Sequence, residues 1–140
     1  MLPRLAIFLF LTGWLFAAES DPAMRLAGDW YGTSVGVAAR THGKDEEVIF
    51  HIAPVAEKAD QFVIDADKIV DGRTVNMGRL VFLFDRKKDA LTCDSGPGGL
   101  WVLNVDGPTI NGTLTSSDGT LLRHLSLQRQ ATDRHEKKNG

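Results

Sequence analysis

The sequence predicts an all-β protein, a single eight-stranded antiparallel barrel with up-and-down connectivity. Three observations lead there. Apolar residues recur at every second position, as in Val48, Phe50 and Ile52 or Leu80, Phe82 and Phe84, and no sustained helical spacing is seen. The alternating runs are short and are punctuated by Asp, Gly and Pro turn chemistry. They follow one another closely enough to be mostly antiparallel neighbours, and closing such a set into a barrel, in preference to a sandwich, removes the exposed edges that invite aggregation.

Residues 1–20 have the organisation of a secretory leader. Arg4 supplies the positive start, Leu5 to Phe16 an apolar core, and Ala18-Glu19-Ser20 a small-x-small cleavage site before Asp21. The core is shorter than the roughly 18 to 20 residues that cross a bilayer. Cleavage is therefore expected, leaving a secreted or periplasmic protein with no stable membrane anchor. The strands are expected at 29–38, 45–52, 61–67, 79–85, 89–94, 99–105, 109–115 and 120–129. Turn signals stand at His42-Gly43, Lys87-Lys88-Asp89, Asp106-Gly107-Pro108 and Ser117-Asp118-Gly119, where Asp and Gly tolerate positive φ. Two longer stretches are read differently: Ala53 to Asp60 as room for one helical turn, and Lys68 to Gly78 as a loop with an Asp71-Gly72 turn. The polar tail 130–140 lacks apolar periodicity and is expected to be disordered, so the folded domain is 21–129.

A formal net charge of -2 gives no basic surface of the kind that phosphate backbones require, so nucleic acid is excluded as a partner. Cys93 is the only cysteine; it cannot form an internal disulfide or a thiolate metal site, and its alternation places it in the core on the face of Leu91.

Leu26-Ala27-Gly28-Asp29-Trp30-Tyr31-Gly32-Thr33 resembles the opening of the lipocalin-like (calycin) barrels, in which a Gly-x-Trp lies on the first strand and an Arg near the end of the last packs across the indole. The resemblance implies that Trp30 is a structural anchor and that its partner is Arg129, with Arg123 the alternative of the same strand parity. The chain is also similar to small exported bacterial β domains, found alone or ahead of α/β-hydrolase domains. The matching segments are Gly28 to Thr33, Val48-Ile49-Phe50-His51-Ile52, and Ile110-Asn111-Gly112-Thr113-Leu114 before the Leu-x-Leu-x-Arg close. That likeness implies a lipocalin-like fold and an export route, and carries no defined activity.

Residues with catalytic potential are explained by architecture. Asp94-Ser95-Gly96-Pro97-Gly98-Gly99 echoes a protease nucleophile loop, but a Gly- and Pro-rich turn accounts for the same letters. His42, His51, His124 and His135 lack metal-ligand spacing. His51 and His124, with Glu47 or Asp65, would form a cluster only if they met across the barrel, and the alternation instead points both to solvent. Asn111-Gly112-Thr113 is a glycosylation sequon, read here as a strand-start Asn beside a Gly that admits a close neighbour. No catalytic residue, metal or cofactor is assigned. A barrel of eight strands is just wide enough to be filled by its side chains or to hold one small ligand. The expectation is a largely packed interior with a small cleft near one rim. Phe50, Phe82 and Trp101 are the candidate ligand-binding residues, because apolar surface dominates such pockets. The sequence therefore points to a non-enzymatic exported module for a small apolar or amphipathic ligand. The alternative is an interaction, inhibitor or hydrolase-accessory module for a protein partner.

Overall fold

The structure, a computed structural model, describes residues 21–37 and 45–130. The leader, the His42-Gly43 turn and the tail from 131 onward lie outside the described residues. A short helix, α1 (Pro22–Leu26), precedes β1 (Gly28–Gly36), β2 (Glu46–Pro54), β3 (Gln61–Val70), β4 (Arg73–Asp85), β5 (Ala90–Asp94), β6 (Leu100–Asp106), β7 (Thr109–Thr115) and β8 (Leu121–Arg129). Each strand pairs antiparallel with the next, and β8 returns to β1 to close the barrel. The fold is all-β and up-and-down, with eight strands.

Alternation decides the core. Val48, Phe50 and Ile52 on β2, Phe62 and Ile64 on β3, Phe82 and Phe84 on β4, and Leu103 and Val105 on β6 all turn inward and are buried. Cys93 packs against this core from β5, beside its cross-strand partner Trp101 on β6. Burial, and then the nearby Asp94 carboxylate, raise its thiol above the usual range.

α1 crosses one end of the barrel, which we call the helix end. Asp21 caps it by accepting from the Ala23 amide at 3.2 Å, Pro22 opens it, and Leu26 is fully buried. The sequence reading did not find this helix, although Asp21-Pro22 is a start signal. The helical turn expected between Ala53 and Asp60 does not form. β2 runs on to Pro54, opposite Phe62, and Glu57 and Asp60 take positive φ in the tight connection that is left.

The loop expected from Lys68 to Gly78 is instead the tip of a hairpin. β3 continues to Val70, Asp71 and Gly72 turn the chain with φ of 53° and 78°, and β4 begins at Arg73. Met77 is an extra residue in the ladder, a β-bulge between the pairs Ala66–Gly78 and Asp67–Asn76. On its other side β4 meets β5 only through Leu83–Thr92, Phe84–Leu91 and Asp85–Ala90. Above Leu83 its free edge overhangs a seam, and every residue from Arg73 to Val81 is exposed. A strand wet on both faces needs no apolar alternation, which is why the sequence pattern vanishes there.

Candidate functional site

Gly28-x-Trp30-x-Gly32 builds the closed end. Trp30 is fully buried, and its indole N–H donates to the Leu26 carbonyl at 2.9 Å. The Arg129 guanidinium lies 5.1 Å from the ring centroid and donates to the carbonyls of Arg25 at 2.9 Å and Ala27 at 2.8 Å. Tryptophan and arginine thus satisfy the orphan carbonyls at the C-terminus of α1. Both glycines have a steric reason. Gly28 holds φ of 126° beneath the Arg129 guanidinium, and a Cβ on Gly32 would overlap the backbone of Ser126.

Arg123, the alternative partner of the indole, sits at the opposite end, which we call the far end. It donates to the Ser34 hydroxyl at 2.6 Å and the Ser34 carbonyl at 3.0 Å, and reaches Glu46 at 3.9 Å. Lys68 meets the same carboxylate at 3.4 Å. Ser34, Glu46, Lys68 and Arg123 share the inward parity of their strands, so they line the inner side of the far end with paired charge.

Between these two ends lies a cavity of about 370 Å³. Phe50 contributes from β2, Ile64 and Ala66 from β3, Leu80 and Phe82 from β4, and Trp101 from β6. Met77, Gly78 and Arg79 complete it beside the seam above β5. The structure brings Phe50, Phe82 and Trp101 together around one space. Ile64, Ala66 and Leu80 were legible in the alternation of β3 and β4, whereas Met77 and Gly78, within the stretch read as a loop, were hidden by the lost periodicity of upper β4. A larger groove of about 470 Å³ crosses the outer face of β1 and its neighbours, lined by Tyr31, Thr33, Glu47, Ile69, Ser126 and Gln128 among others. It is shallow and more polar, which suits water better than an apolar molecule.

His51 faces outward from β2, on the side opposite the cavity. Its Nδ1 lies 2.8 Å from Asp29 on β1, and its Nε2 lies 2.8 Å from Asp67 on β3. Asp67 passes the connection on, accepting at its other oxygen from Asn76 Nδ2 at 2.9 Å. Asn76 also donates to Asp65 at 2.7 Å and accepts from the Gly78 amide at 2.9 Å, so its side chain pins both sides of the bulge. The hydrogen bond to Asp29 raises the His51 pKa, desolvation opposes it, and the bond to Asp67 adds to the rise. Asn76 first, and His51 second, hold Asp67 below its ordinary value. Both ring nitrogens are engaged by carboxylates, which leaves neither to activate a nucleophile. His124 is exposed on β8 opposite Val35 and Thr113, away from His51. Ser95 donates its hydroxyl to the Gly99 carbonyl at 2.8 Å within a 3₁₀ turn, Gly96–Gly98, and is held as a turn residue. Among the described residues, no group of three or more His, Cys, Asp and Glu side chains is arranged to hold a metal ion.

No protein-family model matches the chain, and no curated protein matches it. Among solved structures, a redesigned β-barrel is similar over 81% of this chain and 98% of its own, at 21% identity and a TM-score of 0.59. The siderocalin Ex-FABP, which functions through dual ligand specificities, is similar over 76% of this chain and 71% of its own, at 16% identity and a TM-score of 0.51. At these identities the likeness shows the fold alone, a lipocalin-like β-barrel.

Proposed function

We propose that the protein is a non-enzymatic, exported barrel that binds a small apolar or amphipathic molecule in the cavity bounded by Phe50, Phe82 and Trp101. The cavity is the observation that carries this reading. Its volume of about 370 Å³ falls at the small end of ligand sites, and apart from Arg79 beside the seam its walls are apolar. The dual ligand specificities of the siderocalin of similar fold support it. Export is supported by the leader-like residues 1–20, and N-terminal sequencing of the mature protein tests it, with Asp21 or a near neighbour expected first. A ligand of about 18 non-hydrogen atoms contributing about 0.3 kcal/mol each would bind with about -5.4 kcal/mol, a Kd near 100 μM. Titration of fatty acids, isoprenoids and aromatic compounds against intrinsic Trp fluorescence tests the reading. Saturable, mutually competitive binding is expected, and no binding at near-millimolar ligand would overturn it.

A second reading is an interaction or hydrolase-accessory module. It is favoured by Val81 and Leu83, which point outward from β4 at 50% and 56% exposure. Native mass spectrometry of protein purified from its own host compartment separates the two, through a retained small molecule or a retained partner chain.

A further inference from the structure

Seven of the eight strand pairings in the barrel run through five or more residue pairs, but β4 and β5 share only three. Among the described residues the wall is thus interrupted at one place, above Leu83–Thr92, and Met77 to Leu80 border the cavity beside that interruption. At the helix end, buried Leu26 and Trp30 close the barrel, and at the far end the paired charges of Glu46, Lys68 and Arg123 face inward. Among the described residues, neither obstacle stands at the seam.

Upper β4 is held from one side only, through β3 and the Met77 bulge. The bulge is fastened by Asn76, Asn76 by Asp65, the Ala66 carbonyl and Asp67, and Asp67 by His51, which is in turn held by Asp29 on β1. We infer that ligand reaches the cavity through the β4–β5 seam and that the Asp29–His51–Asp67–Asn76 chain is its latch, closed at acidic pH and loosened at alkaline pH. This rests on the ligand-binding reading above and adds the route and its regulation.

The chemistry of the imidazole sets the direction. A ring with carboxylate oxygens 2.8 Å from both nitrogens can donate to both only when both carry hydrogen, that is, as imidazolium. Once neutral, it presents a lone pair to one carboxylate, and that contact becomes repulsive. The groups facing His51 are Asp29 from β1 and Asp65 and Asp67 from β3; Arg79 from β4 reaches Asp65 at 3.7 Å, and Glu47 lies further along the same face of β2. The excess of carboxylates favours the protonated ring, consistent with its raised pKa. Loss of the proton releases Asp67 or Asp29, and with Asp67 goes one of the three acceptors of Asn76, beside Asp65 at 2.7 Å and the Ala66 carbonyl at 3.3 Å, and so part of the support of the Gly78 amide.

Stopped-flow uptake of N-phenyl-1-naphthylamine, a neutral probe at both pH values, tests route and latch with the full chain. The association rate is expected to rise at least threefold from pH 5.5 to pH 8.5, and His51→Gln is expected to abolish that dependence. A disulfide across the seam, Val81→Cys with Asp94→Cys in a Cys93→Ser background, continues the Leu83–Thr92 register. It is expected to slow uptake at least tenfold when oxidised and to restore it when reduced. Unchanged uptake by the oxidised protein would overturn the route, and a rate that does not vary with pH would overturn the latch. Hydrogen exchange needs no ligand: protection of the Gly78 amide, corrected for intrinsic rates, is expected to fall as pH rises in the unsubstituted chain and to stay constant in His51→Gln. Probe that fails to bind the unsubstituted chain would overturn the ligand-binding reading, while the exchange measurement still decides the latch: constant protection in the unsubstituted chain sinks it.

Discussion

Replacing Trp30 with Ala removes the anchor of the helix end, and the structure sets the size of the effect. The indole is fully buried. An aromatic side chain of this kind buries about 200 Å², worth about 5 kcal/mol at about 25 cal/mol per Å². Alanine keeps part of that, so packing and cavity together give a loss of about 4 kcal/mol. The Leu26 carbonyl also loses its donor, adding about 1 kcal/mol. The expected destabilisation is therefore about 4 to 5 kcal/mol, a large share of the stability of a domain this size. Urea unfolding followed by far-UV circular dichroism measures it, since that signal does not depend on the deleted fluorophore. Trp30→Phe separates the contributions: it keeps most of the ring packing, loses the N–H, and is expected to cost about 1 to 2 kcal/mol. A loss below about 1 kcal/mol for Trp30→Ala, the range of surface changes, would refute the reasoning.

Arg129→Met retains much of the stem but leaves the Arg25 and Ala27 carbonyls without their charged donor; a loss of about 2 kcal/mol is expected, with faster amide exchange in α1 than in the rest of the barrel. Gly32→Ala forces a Cβ onto the β8 backbone and should destabilise by more than about 2 kcal/mol, whereas Gly119→Ala, in open space at φ of 89°, should cost about 1 kcal/mol in the same urea assay. The folded-state pKa of His51 lies above 6.5, so its stabilisation is present below 6.5 and is lost as pH rises through the raised folded value. Asp67 works in the opposite sense: its contribution is present above its ordinary 3.8 and is lost as pH falls through the lowered folded value. With His51 at 41% side-chain exposure the interaction is screened, so unfolding free energy should fall by about 0.5 to 1 kcal/mol between pH 6 and pH 9, and His51→Gln should remove that slope. An unchanged slope in the variant would assign the pH effect to other groups.

The strands with one dry face were legible from residues alone. Phe50, Phe82 and Phe84 advertise an inner wall because Val48, Ile52 and Leu80 repeat their apolar character at every second position, and Gly28, Trp30 and Gly32 mark the closed end. What escaped follows from what alternation measures. Upper β4 has no β5 beside it, so neither face is forced to be apolar, and the Met77 bulge shifts the parity of any pattern that remains. That segment holds the seam and part of the cavity wall. The His51 chain escaped for another reason. Asp29, Asp67 and Asn76 reach it through register, and Asp65, two residues from Asp67, was the carboxylate the local pattern offered. Sequence spacing cannot state which outward carboxylate meets a given histidine until the strands are laid side by side.

The most direct test of the account is a set of intermolecular NOEs between N-phenyl-1-naphthylamine and carbon-13-labelled protein. Contacts from the probe to the ring protons of Phe50, Phe82 and Trp101 and to the methyl groups of Ile64 are the predicted result, since these groups enclose the cavity. Contacts confined to the outward Val81 and Leu83, or none at saturating probe, would contradict the claim that this barrel carries a small molecule inside.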